Sequence, residues 1–410
     1  MSSISLSLGP VVNKEASFIL SGSKSITQRA LIINKLCKNK TISKNYSDSD
    51  DSNLLKAHIQ SREKIINVSN SGTTLRFLIS YYLLKKNKVT IVGDKRLFER
   101  PIRPLMSYLR KLGGQIVLKK NKIILEISNL RGGIIEFEKS NSSQFISSIL
   151  LISPFLKGGL KITRFNNTIS QQYINMTISM MKYCGANIEF NDNSIIVHES
   201  KYSRPYTQIE SDWSCASYLY LAFLLSSLEK IQIQYLKFSS LQSDNVTISF
   251  FSLLGIRSIF INEILELRKD TQFIKPDKIT WNFIDCPDFS VTAFIACLSQ
   301  KIALKGYGLN TLPFKESNRL LALKNEIEKF ECIVELENNC ELSIYPSRKK
   351  WLKNYKIETY NDHRIALAFS TLSILGIKIE IPDLKVINKS YPNFFNDLTK
   401  FGVKIKNNLT

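Results

Sequence analysis

Met106-Ser-Tyr-Leu-Arg-Lys-Leu-Gly113-Gly-Gln-Ile-Val-Leu-Lys-Lys-Asn-Lys-Ile-Ile-Leu125 reads as the end of an amphipathic helix, a glycine stop and two short apolar strands around a polar turn. Gly113 stands where a chain leaving a helix needs a left-handed residue. Ile-Val-Leu and Ile-Ile-Leu on either side of Lys-Lys-Asn-Lys carry the hairpin signal. The pattern returns as Met180-Met-Lys-Tyr-Cys-Gly185-Ala-Asn-Ile-Glu-Phe-Asn-Asp-Asn-Ser-Ile-Ile-Val197 and as Phe251-Ser-Leu-Leu-Gly255-Ile-Arg-Ser-Ile-Phe-Ile261. A fourth copy, Glu326-Ile-Glu-Lys-Phe-Glu-Cys-Ile-Val-Glu-Leu-Glu-Asn-Asn-Cys-Glu-Leu-Ser-Ile344, lacks the glycine, and a fifth is Leu398-Thr-Lys-Phe-Gly402-Val-Lys-Ile-Lys406. Leu54–Val68 is expected to be a sixth, degenerate copy. The marks recur roughly every 70 residues, as self-similar supersecondary units longer than solenoid repeats.

Six α/β units of this size predict two domains of three units each. The segment Ser5–Leu8 is expected to complete the last unit, so the chain crosses between domains twice. Residues 22–211 then form one domain, and residues 1–21 plus 212–410 the other. A cleft between them is the expected place for ligands.

Composition narrows the class. With 410 residues, 44% hydrophobic and 22% charged, the chain is neither a small disulfide scaffold nor disordered. Lys+Arg of 56 against Asp+Glu of 35 gives a net charge of +21. The basic residues lie in scattered clusters (35–40, 85–88, 119–122) at expected turns, without interleaved aromatics. Compositional drift therefore accounts for the excess better than a nucleic-acid surface does. Seven cysteines without C-x-x-C spacing and three histidines leave a metal site little to draw on, and point to reduced thiols in a cytosol. The N-terminus shows no secretory pattern. The uncharged apolar runs Cys215–Leu228 and Ile365–Ile377 are too short and serine-rich to span a bilayer and read as buried helices. A cytoplasmic protein with no membrane partner is expected.

Three loops of one design open apolar helices. Ser21-Gly22-Ser23-Lys24-Ser25-Ile26-Thr27-Gln28-Arg29 presents free N–H groups with Lys24, Ser25 and Arg29 as anion-binding side chains, and is not a Walker loop. Asn70-Ser71-Gly72-Thr73-Thr74-Leu75-Arg76 and Asn141-Ser142-Ser143-Gln144-Phe145 repeat the arrangement. Taken alone, Lys24 and Arg29 read more plainly as solvated helix-start charges, and the second loop as a plain N-cap by Ser71 or Thr73. Further on come Gly93-Asp-Lys-Arg-Leu-Phe-Glu-Arg100-Pro, Cys286-Pro-Asp288-Phe-Ser, Lys315-Glu316-Ser-Asn-Arg319 and Asn361-Asp362-His363-Arg364. Lys315 and Arg319, four apart at a helix start, are expected on one helical face. An N-cap for Asp288 and an exposed salt-bridge helix for 315–319 are the plainer readings.

In this order, from about Gly22 to Pro392, the motifs closely resemble the 5-enolpyruvylshikimate-3-phosphate synthase family. The carriers are Gly-Ser-Lys-Ser-x-x-x-Arg, Asn-Ser-Gly-Thr-Thr-x-Arg-Phe, Arg-Pro, Ser-Ser-Gln-Phe, Asp-x-Ser-x-Ala-Ser-Tyr, Pro-Asp, Lys-Glu-Ser-x-Arg and Asn-Asp-His-Arg. The resemblance implies an α/β (α+β) fold: two globular domains of three βαβαββ-type units, an inside-out barrel joined by crossovers near Ser21–Gly22 and Glu210–Asp212. It implies transfer of the enolpyruvyl group of phosphoenolpyruvate to the 5-hydroxyl of shikimate 3-phosphate, with no metal or other cofactor. By the same resemblance, Lys24, Ser25, Arg29, Ser142, Ser143, Gln144, Ser170, Tyr173, Asp288 and Lys315 bind shikimate 3-phosphate. Lys24, Gly72, Arg100, Gln144, Arg319, Arg364 and Lys389 grip phosphoenolpyruvate. Asp288, Glu316, Lys315 and Lys24 carry the chemistry, with Asp288 as the proton acceptor. Closure of the domains on both ligands is expected.

Some positions depart from the family pattern: Asn318 stands where Asp is frequent, Gln171-Gln172 precede Tyr173, and Asn310 is displaced, with Thr311 in its slot. Gly72 is intact, which implies an open phosphoenolpyruvate pocket and sensitivity to glyphosate. A monomer that binds no nucleic acid is expected. The alternatives are the sister transferase acting on UDP-N-acetylglucosamine, whose loop cysteine has no counterpart here, a basic nucleic-acid-binding protein, and an inactive paralogue.

Overall fold

The helix Arg103–Lys111 ends at Gly113, which takes φ 95°, and the chain then forms the strands Ile116–Lys119 and Lys122–Leu125. The helices Gln171–Tyr183, Thr247–Ser252 and Phe394–Thr399 stop the same way at Gly185, Gly255 and Gly402, with φ of 95°, 81° and 87°. Where the glycine is missing, Glu331 adopts φ 55° itself, three residues beyond the helix Arg319–Glu328. The left-handed exit is thus a requirement of the unit, met with or without the favoured residue. The computed structural model describes residues 3–11, 13–37, 43–137, 142–163, 171–191, 194–383 and 385–408.

The hairpins build five four-stranded sheets of one topology among the described residues. In the first, Ile65–Asn67 runs parallel to Val89–Val92, which pairs antiparallel with Lys122–Leu125, and Ile116–Lys119 closes the edge. The same order recurs in Gly133–Glu136, Leu160–Thr163, Ser194–Val197 and Ile188–Phe190. It recurs in Glu15–Ile19, Lys230–Gln234, Ile264–Lys269 and Ile256–Ile261. It recurs again in Lys278–Asn282, Ala303–Tyr307, Glu341–Pro346 and Cys332–Glu337. In the fifth, Asn354–Lys356 and Lys378–Ile381 are followed by the N-terminal strand Ser3–Leu8, and Val403–Asn408 lies beyond it. Ile4 faces Ile381 on one side and Leu8 faces Val403 on the other.

Leu54–Val68 is not a sixth copy. The helix Asp50–Gln60 leads into a single strand, Ile65–Asn67, that opens the first sheet. Ile65-Ile66 has no second apolar run within hairpin reach, so its partner is the distant Val89–Val92.

Contacts divide the chain into Met1–Ser21 with Glu210–Thr410, and Gly22–Ile209. The second break falls two residues ahead of the expected 211–212 boundary. Glu210 accepts from Ser240 (2.6 Å), the Ser211 N–H donates to the Tyr235 carbonyl (2.9 Å), and the Ser211 hydroxyl donates to that of Leu20 (3.0 Å). These bonds tie residues 210 and 211 to the second unit.

Each unit is organised on helices buried nearly all round, most of them apolar in sequence, with polar side chains such as Gln28 and Arg29 buried in one of them. In one they are Lys24–Leu36, Gly72–Leu84 and Ser143–Ile152. In the other they are Trp213–Leu225, Ser290–Gln300 and His363–Ser370. The last of these is buried at every position, and Phe223, Phe294 and Phe369 are wholly inside. Burial of a side chain that size contributes about 1.5–3 kcal/mol. The runs Cys215–Leu228 and Ile365–Ile377 therefore supply core helices, and no helix among the described residues is long and apolar enough to cross a membrane. In each unit, candidate site residues lie at the N-terminal ends of these helices (Lys24, Gly72 and Ser143 in one, Asp288 and Arg364 in the other), where unpaired N–H groups and the helix dipole favour anions.

Candidate active site

In the unit Gly22–Ile209, Lys24 is the first residue of its helix, and its Nζ lies 3.5 Å from Asp51 Oδ2. Arg29, one turn on, is buried (2% exposed). Its Nε donates to Thr177 Oγ1 (2.7 Å), Nη1 to the Ser25 carbonyl (2.9 Å), and Nη2 to Ser147 Oγ and the Tyr173 carbonyl (both 3.2 Å). The guanidinium also packs against the rings of Phe77 and Tyr173. Burial pulls it down to about 10. Neutral oxygens answer its geometry and leave a buried positive charge that a bound anion would stabilise.

Gly72 opens the second helix beneath two guanidiniums. A Cβ at Gly72 would lie 2.6 Å from Arg76 Nη1 and 2.8 Å from Arg100 Nη1, so only glycine lets both reach this point. Arg76 is 3% exposed and donates to the Pro101 carbonyl (2.9 Å). Within the Asn70–Arg76 motif, only its approach to Gly72 marks Arg76 as a site residue. At the third helix, Ser142 is an N-cap accepting from the Gln144 N–H (3.3 Å), Ser143 is buried, and Gln144 Oε1 is buried without a hydrogen-bond partner. Ser170 lies outside the described residues.

In the other unit the charges interlock. Asp288 follows Pro287 just ahead of the helix Ser290–Gln300, but Phe289 is the N-cap residue and Asp288 caps nothing. Its Oδ2 accepts from Arg364 Nη2 (2.8 Å), and its Oδ1 from Arg319 Nη1 (2.9 Å) and Lys315 Nζ (3.0 Å). Burial alone would raise this carboxyl, yet Arg364, Lys315 and Arg319 hold it well below the usual carboxylate range. Burial in turn lowers the Lys315 ammonium. Arg319, 1% exposed, also donates to Glu316 Oε2 (2.7 Å) and, through Nε and Nη2, to the fully buried Asp362 (2.8 and 3.2 Å). Lys389 Nζ approaches Glu316 Oε1 at 3.4 Å.

Lys315 and Arg319 do not share a helical face. The helix begins at Arg319, and Lys315 sits in an extended turn before it. They meet because both reach Asp288. Asn318, the departure from the family pattern, is the N-cap, accepting from the Leu321 N–H (3.3 Å). Asn310 is exposed, while Thr311 Oγ1 is buried without a hydrogen-bond partner.

Two carboxylates here escaped the sequence reading. Asp362 caps the helix His363–Ser370 through the Arg364 N–H (3.0 Å) and accepts from Ser317 Oγ (3.0 Å). Asp244 is buried with Ser214 Oγ as donor, and burial pushes it up to about 6, with Arg364 pulling the other way. Asp362 lay inside a quoted motif; Asp244 carried no local signal. Around Arg319, the cations Lys315, Arg319, Arg364 and Lys389 interlock with Asp288, Glu316 and Asp362, and Asp244 adds a fourth carboxylate near Arg364. No His/Cys/Asp/Glu group among the described residues is arranged to hold a metal.

Known proteins resemble the chain in fold and in sequence. Over the whole chain the fold is similar to a solved EPSP synthase from Acinetobacter baumannii (TM-score 0.78, 18% identity, all of both chains). It is also similar to the enolpyruvyl transferase NikO from Streptomyces tendae (TM-score 0.75, 11% identity, 100% and 99% of the chains). This is the enolpyruvyl transferase fold. In sequence, the chain is 35% identical over 398 residues to the 3-phosphoshikimate 1-carboxyvinyltransferase of Bacteroides fragilis (strain YCH46), and 32% identical over 432 residues to that of Buchnera aphidicola subsp. Cinara cedri (strain Cc). Both matches cover 96% of each chain. The sequence model of EPSP synthase (3-phosphoshikimate 1-carboxyvinyltransferase) matches residues 52–398, and the chain belongs to that family. It is a transferase of the shikimate pathway, moving the enolpyruvyl group of phosphoenolpyruvate to shikimate 3-phosphate.

Proposed function

We propose that the two sets of helix-terminal charges divide this reaction between them. In the unit 22–209, Lys24, Ser25, Arg29, Ser142, Ser143, Gln144, Ser170 and Tyr173 take shikimate 3-phosphate, while Lys24, Gly72, Arg100 and Gln144 serve phosphoenolpyruvate. In the other unit, Arg319, Arg364 and Lys389 take phosphoenolpyruvate, and Asp288 and Lys315 serve the shikimate hydroxyl. Both substrates are multiply anionic, so forked guanidiniums at helix N-termini are the groups to bind them.

The observation that carries the reading is the clasp of three cations on Asp288. With its partners in place Asp288 is a weak base. An anionic substrate that draws Arg364 and Arg319 to itself loosens the clasp and makes Asp288 basic enough to take the 5-hydroxyl proton as that oxygen attacks C2 of phosphoenolpyruvate. Glu316, assisted by Lys315, delivers a proton to C3. It removes one from C3 again as the tetrahedral intermediate expels phosphate and the double bond re-forms. The working protein is read as a cytoplasmic monomer; the scattered placing of its lysine clusters supports the reading that it binds no nucleic acid, and light scattering tests the monomer.

The test is phosphate release from purified protein given both substrates. Release that needs shikimate 3-phosphate and phosphoenolpyruvate together and collapses in Asp288→Asn supports the assignment. Unchanged release in the variant removes Asp288 from the chemistry.

A further inference from the structure

Glu326 lies seven residues along the helix that Arg319 begins, and it is wholly buried. Its Oε2 accepts from Lys329 Nζ (2.5 Å) and from the backbone N–H of Glu358 (3.2 Å), and its Oε1 from the Tyr360 hydroxyl (2.9 Å). The carboxylate thus grips the loop on both sides of Thr359. That loop is strained: Tyr360 and Asn361 both take left-handed φ, 53° and 54°, with neither a glycine. Each such residue costs roughly 1–2 kcal/mol and persists only where its surroundings hold it. The next three residues are Asp362, His363 and Arg364.

One helix therefore holds the Asp362–Arg364 turn at two points. Near its N-terminus Arg319 binds Asp362 directly; near its C-terminus Glu326 binds Glu358 and Tyr360. We propose that Glu326 is a positioning residue for phosphoenolpyruvate binding, fixing through Tyr360 the strained turn that aims Arg364. It touches neither substrate. This rests on the reading that Arg364 binds phosphoenolpyruvate.

The test measures KM for both substrates, kcat and melting temperature in Tyr360→Phe, Glu326→Gln and Glu326→Ala, with Arg364→Lys as reference. Loss of the hydroxyl in Tyr360→Phe is expected to raise the phosphoenolpyruvate KM about threefold to tenfold, from the usual net worth of one hydrogen bond. The shikimate 3-phosphate KM should stay within twofold and the melting temperature nearly unchanged. Glu326→Ala should be worse than Glu326→Gln, whose amide oxygen still accepts from Tyr360. A variant set that loses melting temperature while both KM values hold, or in which both rise together, overturns the proposal and leaves Glu326 a stability residue. An unchanged phosphoenolpyruvate KM in Arg364→Lys instead overturns the reading of Arg364, and the proposal with it.

Discussion

Asp288 Oδ2 lies 2.8 Å from Arg364 Nη2, an ion pair spanning 76 residues of sequence and joining the N-terminal ends of two buried helices. The other oxygen is taken by Arg319 and Lys315, so one carboxylate is the shared counter-charge of three cations. Removing it leaves those cations facing one another in a largely buried place, a far larger penalty than loss of an exposed ion pair.

Asp288→Asn should therefore do two things. Turnover should fall about 10²–10⁴-fold with loss of the proton acceptor. The melting temperature at neutral pH should also fall, and inorganic phosphate should restore it more strongly than it stabilises the parent, because an added anion replaces the missing charge. The sign follows from the depressed carboxyl. Its ionised form favours folding above the unfolded value of 3.8, a contribution lost only as pH falls through the lower folded value. Equal phosphate stabilisation of parent and variant would remove Asp288 as the common counter-charge.

Gly72→Ala places a methyl group 2.6 and 2.8 Å from the Nη1 atoms of Arg76 and Arg100. Both guanidiniums must give way, and for Arg76 that strains its hydrogen bond to the Pro101 carbonyl. The expected outcome is a phosphoenolpyruvate KM raised about tenfold, the loss of one charge-assisted contact, with the shikimate 3-phosphate KM nearly unchanged. Competition by glyphosate should weaken alongside. Steady-state kinetics with each substrate varied in turn decides it; equal rises in both KM values would place Gly72 outside the phosphoenolpyruvate site.

Asp244 should make stability depend on pH in the opposite sense to Asp288. An acid raised from 3.8 to about 6 on folding favours the folded chain fully below pH 3.8, and that contribution is lost as pH rises towards 6. Above that, the ionised carboxylate is a standing cost of about 2–3 kcal/mol. Asp244→Asn keeps an acceptor for Ser214 without the charge. Its melting temperature should exceed the parent's near pH 7.5, with the gap shrinking by more than half near pH 4.5. A constant offset across that range would show that Asp244 does not titrate there.

The repeated unit was legible because its signals are local. A helix, a left-handed exit and a hairpin lie within some twenty residues, and Gly113, Gly185, Gly255 and Gly402 mark the exit. Leu54–Val68 misled because an apolar pair after a helix looks the same whether its partner strand is adjacent or distant, and Ile65–Asn67 pairs with Val89–Val92. The charged groups were legible as types in motifs, whereas their pairing was not. Lys315 and Arg319 were placed together by helical spacing but meet through Asp288, and Asp244 is set by Ser214, thirty residues earlier. Nothing in a run of serines and asparagines announces a buried carboxylate.

Glu331 tests the local part of that grammar. It holds φ 55° at the position that Gly255 and Gly402 occupy in sister units, three residues past the helix. Its side chain reaches Lys349 at 3.5 Å, but both partners are more than half exposed, so that pair contributes little. The backbone carbonyl of Glu331 accepts from Ser347, a bond any residue keeps. Glu331→Gly relieves the cost of a side chain in the left-handed region and gives up some chain entropy in the unfolded state. The first effect should win by about 0.5–1 kcal/mol, seen as a rise of a few degrees in melting temperature with unchanged kinetics. Glu331→Val, branched at Cβ and so least tolerant of that φ, should fall below the parent. If glycine destabilises and valine does not, the left-handed exit is not what positions this hairpin, and the equivalence of the fourth unit to its sisters fails.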